Sequence, residues 1–108
     1  MSYAEYEMKV IQWSEARKII PNSTPLAQWK KAMEEMQELK DALDANDLAA
    51  TSDAVGDVMV CLINVCALAD LDLVQCLAGA YREIKDRKGT MNEEGIFVKE
   101  PTGQGESG

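Results

Sequence analysis

The sequence contains no histidine among its 108 residues. That absence removes Ser-His-Asp catalysis, imidazole proton transfer and the Glu-x-x-His pairs of a di-iron carboxylate bundle. Cysteine is scarce and odd in number: Cys61, Cys66 and Cys76, all in apolar stretches. Without closely spaced pairs they make no zinc site, and they read as reduced core thiols of a cytoplasmic protein. Positive charge is also in short supply, with 11 Lys and Arg against 19 Asp and Glu and a net charge of −8. Such a surface argues against nonspecific binding to nucleic acid or to an anionic membrane. No Gly-rich phosphate loop ends in Lys-Ser/Thr. An EF-hand fails as well, because Leu48 stands where an oxygen ligand is needed and Ala49 where the turn glycine is needed. No signal peptide is visible. The apolar run near Val58 is about a dozen residues, short for a bilayer.

What is present is an ordinary globular composition, 46% apolar and 28% charged. A chain of this length is expected to form one domain that buries roughly two-thirds of its extended surface. Residues 1–90 read as that domain, and 91–108 as a C-terminal tail. Within the tail, Gly95 to Val98 suits a short extended piece, and Pro101 to Gly108 reads as frayed. Four helical segments are expected. The first runs from about Ser2 to Ile19, with Tyr6, Val10, Trp13 and Arg17 at helical spacing, and Pro21-Asn22-Ser23-Thr24 breaks it. The second runs from Pro25 to about Ala45, capped by Thr24, with Leu26, Trp29, Met33, Met36 and Leu43 as its apolar stripe. The third runs from Ala49 to Ala69 after Asn46-Asp47, with Asp47 as a candidate cap. The fourth runs from Leu73 to about Arg87, with Asp72 as a candidate cap and Gly89 as its C-terminal glycine.

This pattern predicts an all-α protein, a four-helix bundle. The third segment is apolar nearly all round, with Val58, Leu62, Ile63, Val65 and Cys66 facing different directions. A helix of that kind is buried all round. Three neighbours cannot cover it, so a homo-oligomer is expected.

Polar residues on these helices carry the functional signal. Asp53, Asp57 and Asn64 fall within roughly 40° of one line at 100° per residue, along an otherwise apolar helix. Glu35 and Glu38 share a flank of the second segment with Lys31. Antiparallel neighbours could bring the two acidic pairs together as an oxygen-rich site for a hard cation such as Mg²⁺. Each piece also has a plainer reading. Glu-x-x-Glu is common on solvated helix surface, and Asn64 could be a core hydrogen bond. Tyr81, Lys85 and Lys88 could be side chains snorkelling on an amphipathic helix, or could hold phosphate oxygens. Trp13 and Trp29 could be core. Alternatively Trp13, with Arg17 one turn on, could stack a base. Met33, Met36 and Met59 read as core.

Taken together and in order, Gln28-x-x-Lys31-x-x-Glu34-Glu35-x-x-Glu38-Leu39, then Asp53-Ala-Val-Gly56-Asp57-Val58, then Asn64, then Tyr81-x-x-x-Lys85-x-Arg87 resemble the MazG-like, all-α nucleoside triphosphate pyrophosphatases. The resemblance covers about Trp13 to Gly89 and is nearest to the small single-domain members of bacteria and their phages. The family pattern is Glu-x-x-Glu followed by Glu-x-x-Asp. Glu35, Glu38 and Asp57 match it, the remaining Glu falls at Ala54, and Asp53 stands one residue earlier. The resemblance implies hydrolysis of a (deoxy)nucleoside triphosphate to monophosphate and pyrophosphate, by attack of water on the α-phosphorus. It implies Mg²⁺, with Mn²⁺ as substitute, on Glu35, Glu38 and Asp57 with Asp53 assisting. Lys31, Lys85 and Arg87 would meet phosphate oxygens, Asn64 and Tyr81 would position sugar or phosphate, and Trp13 and Arg17 would border the base. It also implies a homo-dimer or dimer of dimers. A catalytically weak nucleotide-binding module and a non-enzymatic acidic interaction protein are the other two readings of the same residues.

Overall fold

A computed structural model describes residues 1–101. The frayed-tail reading therefore lies, beyond Pro101, outside the described residues. Among these the protein is mostly helical, with five helices and one two-stranded hairpin. Its contacts separate into two compact units, Met1–Leu73 and Val74–Gly108.

The first unit holds four helices. Helix α1 spans Tyr3–Ala16 and opens with a capping box: Ser2 Oγ accepts from the Glu5 N–H while the Glu5 carboxylate accepts from the Ser2 N–H. It stops earlier than its apolar spacing suggests, because Lys18 takes a left-handed backbone with φ of 66°. A short helical turn, α2, Ile19–Asn22, follows. Pro21 is thus not the breaker. It sits in the first turn of α2, where a missing N–H costs nothing.

Helix α3, Pro25–Asp44, begins as its sequence requires, with Thr24 Oγ1 accepting from the Ala27 N–H at 3.1 Å and Pro25 at the first position. Helix α4, Leu48–Leu68, is capped by Asp47, whose carboxylate accepts from the Ala50 N–H at 3.0 Å. Asn46 makes the reversal between them with a φ of 54°, a backbone that asparagine tolerates well. The two helices pack along their length, antiparallel. Gln28 on α3 meets Asn64 on α4, and seven residues on, Glu35 meets Asp57, seven residues back.

Burial on α3 differs from the expected stripe. The buried residues are Ala32, Glu35 and Ala42, and their two small alanines let α4 come close. Leu26, Trp29, Met33, Met36 and Leu43 are exposed, so Met33 and Met36 are not core. Their spacing, with Lys40 completing it, alternates three and four, which is that of a coiled-coil seam. Helix α4 buries Ala54, Cys61, Ile63, Asn64 and Cys66 and leaves Leu48, Val55 and Leu62 exposed at seven-residue intervals. Helix α4 is 21 residues long, with a mean hydropathy of 1.5 over an 18-residue stretch, long and apolar enough by those measures to cross a membrane. That is more than its uninterrupted apolar run alone suggests. Within the first unit α4 packs on α3, α1 and α2.

In the second unit, α5 spans Leu73–Ile84 from its first residue at the boundary. It is shorter than expected, although the Lys85 N–H still donates to the Tyr81 carbonyl at 2.9 Å. Gly89 does not end it. Gly89 begins strand β1, Gly89–Met91, which pairs antiparallel with β2, Phe97–Lys99, around a turn containing Gly95 with φ of 81°. Residues 91–99, expected as tail, are thus part of a hairpin. A Cβ on Gly89 would overlap the Val98 carbonyl oxygen and come within 2.9 Å of Lys99 Cα, so close backbone approach explains this glycine.

Candidate metal centre and adjoining cavity

The α3–α4 register brings carboxylate oxygens of Glu35, Glu38 and Asp57 within 4.8 Å of one another. Glu35 lies one turn from Glu38 on α3, and the reversal at Asn46 brings Asp57 on α4 opposite them. Glu35 is buried while Glu38 and Asp57 are exposed. Glu35 Oε1 lies 3.5 Å from Lys31 Nζ, and Glu35 Oε2 is buried with no hydrogen-bond donor. Lys31 also reaches Glu34 at 4.0 Å. Its pKa is raised, first by the Glu34 charge and then by hydrogen bonding to Glu35.

Like charge shows in the proton affinities. The Glu38 pKa is raised above 4.5, mainly by its contact with Glu35, with which it would share a proton, and by the Glu35 charge. Asp57 adds to this and Lys31 opposes it. Burial, with Glu35 next, pushes the Cys61 thiol up as well, so Cys61 remains an uncharged wall.

Such a set fits a hard divalent cation. It offers oxygen ligands alone, three of them mutually close, and one is an orphaned buried oxygen that a cation would satisfy. Asp53 is not part of it. Asp53 is exposed on α4 one turn before Asp57, and its carboxylate is not among those that lie within 4.8 Å of one another. Ala54 itself is buried and supplies no ligand.

A cavity of about 460 Å³ adjoins the triad, with Glu35 and Asp57 in its lining. Lys31, Gln28 and Asn64 give it a polar side, and Trp13, Ile19, Val60 and Cys61 an apolar one. Trp13 and Asp57 also border a second, more apolar cavity of about 340 Å³ that includes Tyr6, Lys9 and Val10. The Arg17 guanidinium sits 5.7 Å from the centre of the Trp13 ring, within cation–π range. Asn64 is 2% exposed and hydrogen-bonded on both sides: it accepts from Ser14 Oγ at 2.6 Å and donates to Gln28 Oε1 at 3.2 Å.

Of the residues expected at the site, the structure therefore gathers Glu35, Glu38, Asp57, Lys31, Asn64 and Trp13, with Arg17 against Trp13. Tyr81, Lys85 and Arg87 belong to the second unit, and the triad and its cavity are built without them. Gln28 was legible only as a motif letter. Ser14 gave no signal at all, because its partner is 50 residues away. No family model, curated protein or solved structure matches the chain.

Proposed function

We propose that the protein is a divalent-cation-dependent pyrophosphohydrolase of the MazG-like kind, converting a (deoxy)nucleoside triphosphate to monophosphate and pyrophosphate. The observation that carries this is the triad Glu35–Glu38–Asp57 with its buried, donorless Glu35 oxygen. Mg²⁺ or Mn²⁺ held there would neutralise phosphate charge and favour the ionised form of water. Lys31, beside Glu35, would add positive charge against phosphate oxygens. A water hydrogen-bonded to a triad carboxylate would attack the α-phosphorus. The bond from that phosphorus to the bridging oxygen would break, pyrophosphate would leave, and the carboxylate would take the proton. The nucleoside would lie in the adjoining cavity against Trp13.

Asp57→Asn and Glu38→Gln are each expected to lower pyrophosphate release on the order of a hundredfold, with helical content unchanged by circular dichroism. Asp53→Asn, outside the triad, is expected to change it little. Full activity in both triad variants would remove the reading.

The absence of a carboxylate at Ala54 favours one further reading, a nucleotide-binding module with weak turnover. A large gain in turnover from Ala54→Glu would support it.

The exposed seams support assembly as a homo-dimer or dimer of dimers. At 100° per residue the α3 seam and the Leu48–Val55–Leu62 seam turn to the same side of the α3–α4 pair, away from the triad. A second copy offering the same two seams would complete a four-helix bundle.

A further inference from the structure

The hydrogen bonds around Gln28 run in one direction. Ser14, fully buried on α1, donates to Asn64 Oδ1 at 2.6 Å. Asn64 Nδ2 donates to Gln28 Oε1 at 3.2 Å, and Gln28 Nε2 donates to Ser23 Oγ at 3.1 Å. This relay ties α1, α4, α3 and the turn before α3 together. Reversing the Gln28 amide alone would set its N–H group against that of Asn64. Reversing both amides would take the Ser14 hydroxyl off its acceptor in a place with no solvent exposure, where an unmet donor is costly. The amide is therefore held one way round.

Gln28 keeps one free N–H and one free lone pair after these bonds, and it lines the cavity. On α3 it is one turn from Lys31 and two turns, about 10 Å, from Glu35. The cavity thus runs from an acidic end, past a cation, to an amide end with Trp13 in its wall. A nucleotide laid with its phosphates at the triad would bring its base to the amide end.

We propose that Gln28 reads the hydrogen-bonding edge of the substrate's base, and that Ser14, Asn64 and Ser23 are positioning residues that fix which way it reads. This rests on the nucleoside triphosphate reading above. Adenine and cytosine present an amino donor beside a ring-nitrogen acceptor. Guanine, uracil and thymine present a carbonyl acceptor beside a ring N–H, the reverse order. A freely rotating amide satisfies both orders, whereas an amide held one way satisfies one. The site then separates amino bases from keto bases.

The test uses the Trp29→Phe chain, in which Trp13 is the one remaining indole. Its fluorescence is titrated with the four deoxynucleoside 5′-monophosphates, calorimetry provides a second measure, and pyrophosphate release is followed separately from the triphosphates. Affinities are expected to pair adenine with cytosine and guanine with thymine, the two pairs differing roughly tenfold. Ser14→Ala is expected to bring that ratio near one, with the mean affinity and Mn²⁺ binding retained. Gln28→Leu is expected to abolish the ratio and weaken all four. A merely structural role for Ser14 would weaken all four together and keep the ratio. No amino–keto separation in the parent chain, or a separation unchanged in both variants, overturns the inference. Pyrophosphate release in that case leaves the proposed function standing. Selective binding without pyrophosphate release supports the inference and removes the catalytic reading.

Discussion

Glu35 carries a carboxylate oxygen into the α3–α4 interface with no donor to meet it, and an ionised oxygen left in that state destabilises the fold. Glu38 and Asp57 add like charge close by. Replacing Glu35 by Gln keeps the shape, removes the charge and supplies an N–H. The metal-free Glu35→Gln protein is expected to melt higher by roughly 4–8 °C, as about 1 kcal/mol does in a domain of this size. It is also expected to lose the upward shift that Mn²⁺ gives the parent chain, and differential scanning fluorimetry with and without Mn²⁺ reads both. Proton binding follows the same electrostatics. Because the Glu38 pKa is raised in the fold above its ordinary 4.5, Glu38 binds a proton more tightly in the native protein than in the unfolded chain. This group therefore favours folding more as pH falls through its folded pKa. The proton displaces a cation from the same oxygens. Mn²⁺ affinity is expected to be full at neutral pH and to fall as pH drops through a window that begins above 4.5. Calorimetric titration at neutral and mildly acidic pH checks it, and a pH-independent affinity would count against the triad as the site.

The helices show how far local rules reach. The caps at Thr24 and Asp47 and the breaks at Asn46-Asp47 and Asp70-Leu71-Asp72 were readable, because a cap needs only its own first turn. The end of α1 at a left-handed Lys18 was not readable, since nothing about lysine favours that backbone. Gly89 misled for a related reason. A glycine after a helix suits both a C-terminal reversal and a strand that another strand must approach closely, and only pairing with β2 decides between them. Gly89→Ala is accordingly expected to cost about 1–3 kcal/mol of hairpin stability. Faster amide exchange at the Thr90–Val98 pair would report it, with exchange in α3 and α4 unaffected.

At the scale of the whole molecule, two apolar seams of the first unit, on α3 and on α4, are exposed among the described residues. The most exposed of their residues, Leu48, is 84% exposed. Patches of this kind mark association surfaces. Met33→Asp and Val55→Asp, one on each seam and neither in the triad, are expected to shift the protein to monomer in sedimentation velocity while helical content holds. A parent chain already monomeric at high concentration would remove the assembly reading. The acidic surface, net −8, adds nothing to such a contact, so the apolar seams must carry it.

Residue order alone fixed the helical class, the four main helix starts to within one residue and the acidic and basic types that make the candidate site, since helix spacing and capping act over three or four residues. It could not decide which face of α3 meets α4. Periodicity marked the methionine and leucine stripe, yet the packed face is Ala32, Glu35 and Ala42, because small side chains permit the closest approach. That choice sets everything at the site. It brings Glu35 and Glu38 to Asp57 and leaves Asp53 aside. It also joins Ser14, Asn64, Gln28 and Ser23 into one directed relay. Contacts between side chains as much as 50 residues apart depend on how helices are placed against each other, and no local spacing in the chain encodes that placement.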